Sequence, residues 1–270
     1  MVDAGECHRL AAGFAMPKCA HPRNFLFPRG RPPVLHGGVK RVLFLQHGEV
    51  DKPGLLADSL AEAGVALRVL HAYAGERVPV SLEGFDGLAL GGGAQSAWQD
   101  DGFPYLAAEC GLVRAAVGEG KPVLGLCLGG QLMARACGAV VRRAERRELG
   151  FFPVELAPGA AGDPLMRHFP GEFAATHWHG DVFEIPAGGE RLASSAMTPN
   201  QAFRMGRGFY GFQFHPEMTA GLFRELVGED REFFREEGID ADALVREAGA
   251  ALPKLEKSVR AAFREWAGFL

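Results

Sequence analysis

The chain has 270 residues, of which 47% are hydrophobic and 23% charged. That is enough for a well-filled core in one large α/β domain or two small ones. The formal net charge of -4 gives no electrostatic reason to expect a nucleic acid or an anionic membrane as the main partner. We therefore expect a small-molecule substrate.

The five cysteines are scattered and odd in number, and no signal-peptide hydrophobic run precedes them. This pattern favours free thiols in a reducing, cytoplasmic compartment. No window approaches the roughly 18 to 20 consecutive apolar residues that a membrane-spanning helix requires. We expect a soluble protein.

Residues 1–39 are rich in Pro, Arg, Gly and His and follow neither a helical nor a strand period, so we predict an irregular, disordered extension. Three explanations stay open: a flexible tail, a start codon assigned too early, and an organelle-targeting leader. Cys7, His8, Cys19 and His21 lack the C-x-x-C spacing typical of zinc sites, and we predict no metal there.

From Arg41 onward, short apolar runs alternate with longer amphipathic ones. The pattern predicts an α/β fold with an open, mostly parallel twisted sheet and helices on both faces. The predicted elements are, in chain order, a strand at 42–46, a helix at 55–63, a strand at 65–70, a strand from 87 that runs into a glycine turn ending at 93, a helix at 104–117, a strand at 122–127 and a helix at 129–136.

The second half of the chain predicts an antiparallel or mixed portion of sheet. Strands are predicted at 151–156 and 191–196, followed by a hairpin over 201–217 with its turn near 206–208. Residues beyond Thr219 are predicted to be helical and end in an amphipathic helix. We divide the chain into the extension at 1–39, a domain at 40–227, and a helical appendage at 228–270 that packs on the domain or at an interface.

Cys127 lies between the predicted strand and helix in the segment GLCLGGQ, with a glycine two positions before it and another two after. This frame is typical of a nucleophile elbow, in which small flanking residues allow a sharp turn. The amides at the start of the helix, including Leu128 N–H, would favour both a thiolate and an oxyanion. Most free cysteines are simply buried apolar residues, and Cys110 and Cys137, which have no glycine frame, fit that alternative.

The segment YGFQFHPE is predicted to be a strand whose end presents His215 and Glu217 on one side, provided that the extended geometry continues through Pro216. A carboxylate beside an imidazole holds its tautomer and stabilises the imidazolium. A lone histidine at a strand end is usually structural. Together with the glycine-framed cysteine, however, the pair predicts a catalytic triad of Cys127, His215 and Glu217.

Four segments resemble the class I, or triad, glutamine amidotransferase family in their order and spacing. They are GLCLGGQLM around Cys127, QFHPE around Glu217, LGGGAQS at 90–96 and HWHGD at 177–181. The resemblance covers roughly residues 41–226, and within the family it is strongest to stand-alone proteins that resemble the amidotransferase domain of GMP synthase. It implies a flavodoxin-like fold.

The resemblance also implies roles for further residues. Gly92 and Leu128 would supply the amides of the oxyanion hole, Gln131 would bind glutamine, and Trp178, His179, Gly180 and Asp181 would receive the α-amino and α-carboxylate groups of the substrate, largely through backbone. Glutamine is the implied substrate, with no cofactor, and a synthetase or other ammonia acceptor is the implied partner. The sequence does not determine the oligomeric state.

Other interpretations of the same segments were weighed. The segment GGGAQS lacks the lysine of a P-loop and the G-x-G-x-x-G order, so we predict no nucleotide there. A zinc pair at His177 and His179 has no third ligand at suitable spacing after it, and we predict no metal. Two functional alternatives stay open: a γ-glutamyl hydrolase that acts on a γ-glutamyl amide or peptide, and a binding or regulatory module without turnover of its own.

Overall fold

The computed structural model describes residues 38–270, so nearly all of the predicted extension lies outside the described residues. The strands are β1 (Arg41–Gln46), β2 (Ala66–His71), β3 (Gly87–Leu90), β4 (Val123–Leu126), β5 (Val141–Leu156), β6 (Glu172–Phe183), β7 (Glu190–Ser194), β8 (Ala202–Met205) and β9 (Phe209–Phe212). The helices are α1 (Gly54–Glu62), α2 (Tyr105–Glu119), α3 (Leu128–Ala136), α4 (Ala220–Glu229), α5 (Arg231–Glu236) and α6 (Ala241–Ala267).

The described strands form one nine-stranded sheet in the order β2-β1-β3-β4-β9-β8-β7-β5-β6. The first five strands of this order are parallel neighbours, and the remaining pairings are antiparallel. The predicted fold class, an open parallel sheet with a mixed C-terminal portion, is confirmed. The carboxyl ends of β1, β3 and β4 lie at one edge, where ligands bind in sheets of this kind.

Two apolar cores lie on opposite faces of the sheet because side chains alternate along each strand. In β1, Leu43 and Leu45 belong to the core that α2 and α3 cover. Val42 and Phe44 belong to the core that α1 and α6 cover. A third, smaller cluster joins α4, α5 and α6 around Phe234. The helices therefore hold the central strands from both sides.

The C-terminal helix α6 is anchored to the domain at several points. The indole N–H of Trp266, fully buried, donates to the carbonyl oxygen of Gly208 in the β8–β9 turn at 2.9 Å. Arg260 donates to Asp58 and Glu62 of α1, at 3.0 Å in each case. Within the described residues, no helix is both long enough and apolar enough to cross a membrane.

Two predictions of local structure were wrong or incomplete. The strand predicted at 151–156 is only the end of β5, and β6 was not predicted. The first half of β5 is charged and largely exposed, so it lacks the alternation that marks a half-buried strand. In β6, the apolar pattern is interrupted by the polar residues of HWHGD, most of which are buried.

The strand predicted to continue to Glu217 ends at Phe212. Beyond that residue the chain leaves β8, and the backbone N–H of His215 donates instead to the carbonyl oxygen of Thr176 in β6, at 2.8 Å. Pro216 has no N–H with which to extend a ladder. His215 therefore lies in the loop after β9 and Glu217 in a turn at 216–217, although the predicted closeness of their side chains is found.

Candidate active site

Cys127 lies at a strained turn between β4 and α3. Its backbone has φ 51° and ψ -107°, and among the described residues it is the one non-glycine residue with positive φ. A side chain at Gly125 would lie 2.6 Å from the backbone of Gly129, and one at Gly130 would lie 2.6 Å from the carbonyl oxygen of Phe212. The glycines are thus required by close approach of the backbone, as a nucleophile elbow demands.

The thiol of Cys127 is buried, with 4% of the residue exposed. Its sulfur lies 3.7 Å from the carbonyl oxygen of Trp178. Gln213 Nε2 lies 3.8 Å from the sulfur and is oriented to donate a hydrogen bond to it. The backbone N–H of Cys127 donates to Phe212 at 2.8 Å, which joins the elbow to β9. The sulfur therefore lies between the end of β4 and the middle of β6.

His215 and Glu217 form a buried pair, with 2.7 Å between Nδ1 and Oε1. Since an ionised carboxylate only accepts hydrogen bonds, Nδ1 carries a proton. Burial alone would lower the pKa of His215, but the charges of Glu217 and Cys127 outweigh it and raise that pKa well above its ordinary value. No hydrogen bond of regular geometry joins Nε2 to a protein acceptor within residues 38–270. Nε2 is the nitrogen left to exchange a proton.

The glycine turn after β3 is the predicted oxyanion loop (Gly91–Gly93), and it lies against this pair. A side chain at Gly92 would come within 2.8 Å of His215 Cε1. The N–H of Gly129, near the start of α3, donates to the carbonyl oxygen of Gly91 at 3.0 Å. In the part of the chain that the structure describes, neither Gly92 N–H nor Leu128 N–H donates to a backbone acceptor. Both amides are therefore available to an oxyanion.

The predicted substrate-binding segment at 178–181 belongs to β6, and its backbone faces the elbow. The Gln131 side-chain amide donates to the carbonyl oxygen of Asp181 at 3.1 Å, and His179 Nδ1 lies 3.2 Å from the same oxygen. The indole ring of Trp178 packs edge-on against Phe234, while its carbonyl oxygen lies near the thiol. The structure therefore brings all of the predicted site residues to one end of the sheet.

Arginine side chains lie beside Gly180 and Asp181. A β-carbon at Gly180 would lie 3.4 Å from Arg147 Cγ and 3.6 Å from Arg143 Nη1. Arg143 Nε lies 3.4 Å from Asp181 Oδ1. Burial raises the pKa of Asp181, and the charge of Arg143 opposes that rise. The segment thus offers both signs of charge, which suits an amino acid with an α-amino and an α-carboxylate group.

A buried polar cluster behind this segment was missed. Glu148 of β5 lies opposite His179, with 3.1 Å between Oε2 and Nε2, and it also accepts from Ser195 at 2.6 Å. One nitrogen or oxygen atom from each of Glu148, His177 and His179 lies within 4.8 Å of the others, as a metal site would require. A third potential ligand for the histidine pair is therefore present, but it precedes the pair in sequence and reaches it by strand pairing.

The cluster also has perturbed pKa values. Burial alone would raise the pKa of Glu148, but hydrogen bonds from His179 and Ser195 outweigh it and lower that pKa to about 2. Burial lowers the pKa of His177 to about 4. At neutral pH, Glu148 is therefore ionised and His177 neutral. The carboxylate already has hydrogen-bond donors in the protein.

A second missed pair is His47 and Glu109. His47 follows β1 directly, Glu109 lies in α2, and both side chains are fully buried. His47 Nδ1 lies 2.9 Å from the carbonyl oxygen of Gly92, and Nε2 lies 2.8 Å from Glu109 Oε2. The sequence did carry a signal for His47, because a polar residue at the carboxyl end of a buried parallel strand is typical of a ligand-binding edge.

Comparison with known proteins was made by family model, by sequence and by structure. The model of the family described as glutamine amidotransferase class-I matches residues 54–231. The glutamine amidotransferase-like protein YfeJ of Salmonella typhimurium is 32% identical over 195 residues, which cover 71% of this chain and 82% of that protein. The glutamine-hydrolysing GMP synthase of Leifsonia xyli is 38% identical over 160 residues, 58% of this chain and 30% of that protein. The chain thus spans under a third of this longer relative.

Two solved structures are similar over most of the chain. A glutamine amidotransferase from Thermotoga maritima has a TM-score of 0.79 and 28% identity, covering 85% of this chain and 98% of that one. A glutamine amido transferase from Methylobacillus flagellatus has a TM-score of 0.80 and 28% identity, covering 86% of this chain and 96% of that one.

Proposed function

The chain belongs to the class-I glutamine amidotransferase family, and we propose that it hydrolyses the side-chain amide of glutamine to glutamate and ammonia through a thioester on Cys127. The observation that carries this proposal is a thiol on a strained elbow beside an imidazole whose other nitrogen is held by a buried carboxylate. Such an arrangement is suited to nucleophilic attack on an amide.

In the first step, the Cys127 thiolate attacks the side-chain carbonyl carbon of glutamine, and the carbonyl oxygen becomes negative. The free amides of Gly92 and Leu128 would hold that oxygen, since donors fixed before the reaction stabilise developing charge without reorganisation. Leu128 N–H also lies at the start of α3, where the helix dipole favours negative charge.

In the second step, the carbon–nitrogen bond breaks and His215 Nε2 gives its proton to the departing ammonia. Glu217 holds Nδ1–H and stabilises the imidazolium before this transfer. Water then loses a proton to the neutral imidazole and attacks the thioester, which releases glutamate and regenerates the thiolate. The raised pKa of His215 keeps the proton available at neutral pH.

Substrate binding would use the segment at 178–181 together with Gln131. The negative charge of Asp181 suits the α-amino group of glutamine, and the guanidinium groups of Arg143 and Arg147 beside it suit the α-carboxylate. The carbonyl oxygen of Trp178 already lies beside the sulfur, so a ligand held by its neighbours would place its side chain near Cys127.

We further propose that the ammonia is passed to a synthetase or other acceptor protein, as the match to one part of longer GMP synthases suggests. A reducing, cytoplasmic location fits the three described cysteines, all of which are free thiols.

The test is ammonia release from glutamine by the purified protein, measured with a coupled glutamate dehydrogenase assay. Cys127→Ala should abolish turnover, a loss of about four powers of ten or more, because the covalent route is removed. Glu217→Gln should lower kcat by a smaller factor, since the thiol and the imidazole remain. Cys137→Ala is the matched control, because it removes another buried free thiol at a distance from the elbow.

Turnover of Cys127→Ala at the wild-type rate would refute the thioester route. A parallel assay with γ-glutamyl p-nitroanilide and γ-glutamyl dipeptides distinguishes a glutaminase from a γ-glutamyl hydrolase: the proposal requires kcat/KM to be highest for glutamine.

A further inference from the structure

The covalent structure of the oxyanion loop allows its peptide units to rotate. Glycine adopts positive and negative φ about equally well, so a peptide unit between two glycines can turn over at little steric cost. The close contacts of the loop nevertheless demand glycine: a β-carbon at Gly93 would lie 2.7 Å from His47 Cβ and 2.8 Å from Leu128 Cδ2. Catalysis needs amides in fixed orientations. The space around this loop nevertheless admits only glycine, whose backbone is the most flexible.

Two hydrogen bonds fix the carbonyl groups of this loop. The N–H of Gly129 holds the carbonyl of Gly91 at 3.0 Å, and His47 Nδ1 holds the carbonyl of Gly92 at 2.9 Å. All described peptide bonds are trans, so the N–H of each peptide unit points away from its carbonyl. The first bond therefore orients Gly92 N–H, and the second orients Gly93 N–H.

The hydrogen bond from His47 depends on Glu109. Both neighbours of the imidazole, the Gly92 carbonyl and the Glu109 carboxyl group, are acceptors when the carboxyl group is ionised. Burial alone would lower the pKa of His47, but the charge and hydrogen bond of Glu109 outweigh it and raise that pKa. Since the Gly92 carbonyl can only accept, Nδ1 carries a proton that points at Gly92, and Nε2 faces the Glu109 carboxyl group.

We propose that His47, held by Glu109, is a positioning residue that fixes the oxyanion loop by donating from Nδ1 to the Gly92 carbonyl. The inference rests on the proposed function. Without this donor, the buried carbonyl of Gly92 would be unpaired and the Gly92–Gly93 peptide unit could turn. Because this unit begins at Gly92, its rotation would shift the loop and displace Gly92 N–H from the position in which it faces the elbow. His47 therefore acts through the loop and does not contact the substrate.

A purely structural role for the pair is a weaker account. A buried ion pair contributes little net stability, and apolar residues of similar size are often as good or better. His47 and Glu109 lie against an apolar core that could accept such residues. What apolar residues cannot supply is a hydrogen-bond donor to Gly92.

The experiment replaces the pair in two ways. The double variant His47→Phe/Glu109→Leu removes both charges together, so that no ion is left unpaired, and removes the donor to Gly92. The conservative variant Glu109→Gln keeps the donor, because its amide can donate to Nε2 of a neutral His47 whose Nδ1–H still faces Gly92. His47→Ala is avoided because it would leave Glu109 buried and unpaired.

Four quantities are measured for wild type and each variant: the urea unfolding midpoint, kcat and KM for glutamine, the Ki of glutamate γ-semialdehyde, and the rate of Cys127 alkylation by iodoacetamide. The aldehyde forms a tetrahedral thiol adduct whose oxygen occupies the oxyanion hole. Alkylation needs a reactive thiol but no oxyanion hole. Comparing the two separates damage to the loop from damage to the triad.

In the double variant we expect kcat to fall by about 10²-fold, as for the loss of one oxyanion donor. The Ki of the aldehyde should rise by a similar factor, with KM and the alkylation rate little changed. The unfolding midpoint should fall, because the buried Gly92 carbonyl loses its donor. Glu109→Gln should stay within about threefold of the wild-type kcat.

A folded double variant with the wild-type kcat and aldehyde Ki would overturn the inference. So would a loss of activity matched by an equal fold-loss of the alkylation rate. Wild-type protein that turns over neither glutamine nor γ-glutamyl amides would instead overturn the proposed function, and this inference with it.

Discussion

The strain at Cys127 can be measured as a stability difference. The residue has φ 51°, a backbone conformation that side chains with a β-carbon rarely adopt. Replacing it by alanine keeps the β-carbon and the strain, whereas replacing it by glycine removes both. Comparing Cys127→Ala with Cys127→Gly therefore isolates the strain, because neither variant has the thiol.

The magnitude follows from three contributions. Removing the β-carbon should release about 1 to 3 kcal/mol of backbone strain. Against this, glycine loses more chain entropy on folding, by about 0.5 to 1 kcal/mol, and one buried methyl group is lost, worth about 0.8 kcal/mol. We therefore expect Cys127→Gly to lie between about 1 kcal/mol less stable and about 2 kcal/mol more stable than Cys127→Ala.

Ala134 supplies the matched control. It lies on α3 with ordinary helical geometry and is fully buried. Ala134→Gly should cost about 2 kcal/mol, since the entropic and burial losses are the same in kind but no strain is released. The assay is urea unfolding followed by tryptophan fluorescence, with free energies taken from the linear extrapolation.

The alanine-to-glycine change should thus be about 1 to 3 kcal/mol less destabilising at position 127 than at position 134. Equal costs at the two positions would refute the view that the elbow stores strain. A lower stability of Cys127→Gly than of Cys127→Ala by about 2 kcal/mol would do the same.

Three further predictions address other parts of the fold. Iodoacetamide at neutral pH should label Cys127 before Cys110 and Cys137, as mapped by peptide mass spectrometry. The reason is that burial raises the pKa of Cys110 to about 11 and that of Cys137 to about 12. Equal labelling of the three cysteines would contradict this prediction. The pKa of His177 is about 4 in the fold against 6.5 unfolded, so the unfolded chain binds the extra proton and stability should fall as pH decreases between these values, by on the order of 3 kcal/mol. In urea titrations at several pH values, His177→Phe should reduce the slope of the free energy of unfolding against pH by the contribution of about one proton. Trp266→Phe should lower the free energy of unfolding by at least about 2 kcal/mol, because a buried carbonyl loses its donor; an unchanged value would show that α6 is not part of the cooperative unit.

The sharp turn at the elbow was predictable because the residues that form it are consecutive in the sequence. Glycines two before and two after a cysteine, between an apolar strand and a helix, leave few alternatives to a sharp turn. The closeness of His215 and Glu217 was also predictable, since they are two residues apart. The reason given for it was wrong, because the pair lies in the loop and turn after β9 and not on the strand.

The sequence by itself determined the order of strands and helices from β1 to α3, the elbow, and the residue types at the end of the sheet, because these depend on short-range pattern and on the size of glycine. The tertiary structure alone decided which distant side chains meet. Glu148 reaches His179 through the pairing of β5 with β6, and His47 reaches Glu109 of α2 across 62 positions of sequence. Such contacts leave no periodic signal, since each depends on how separate elements pack and on the need of every buried polar group for a partner.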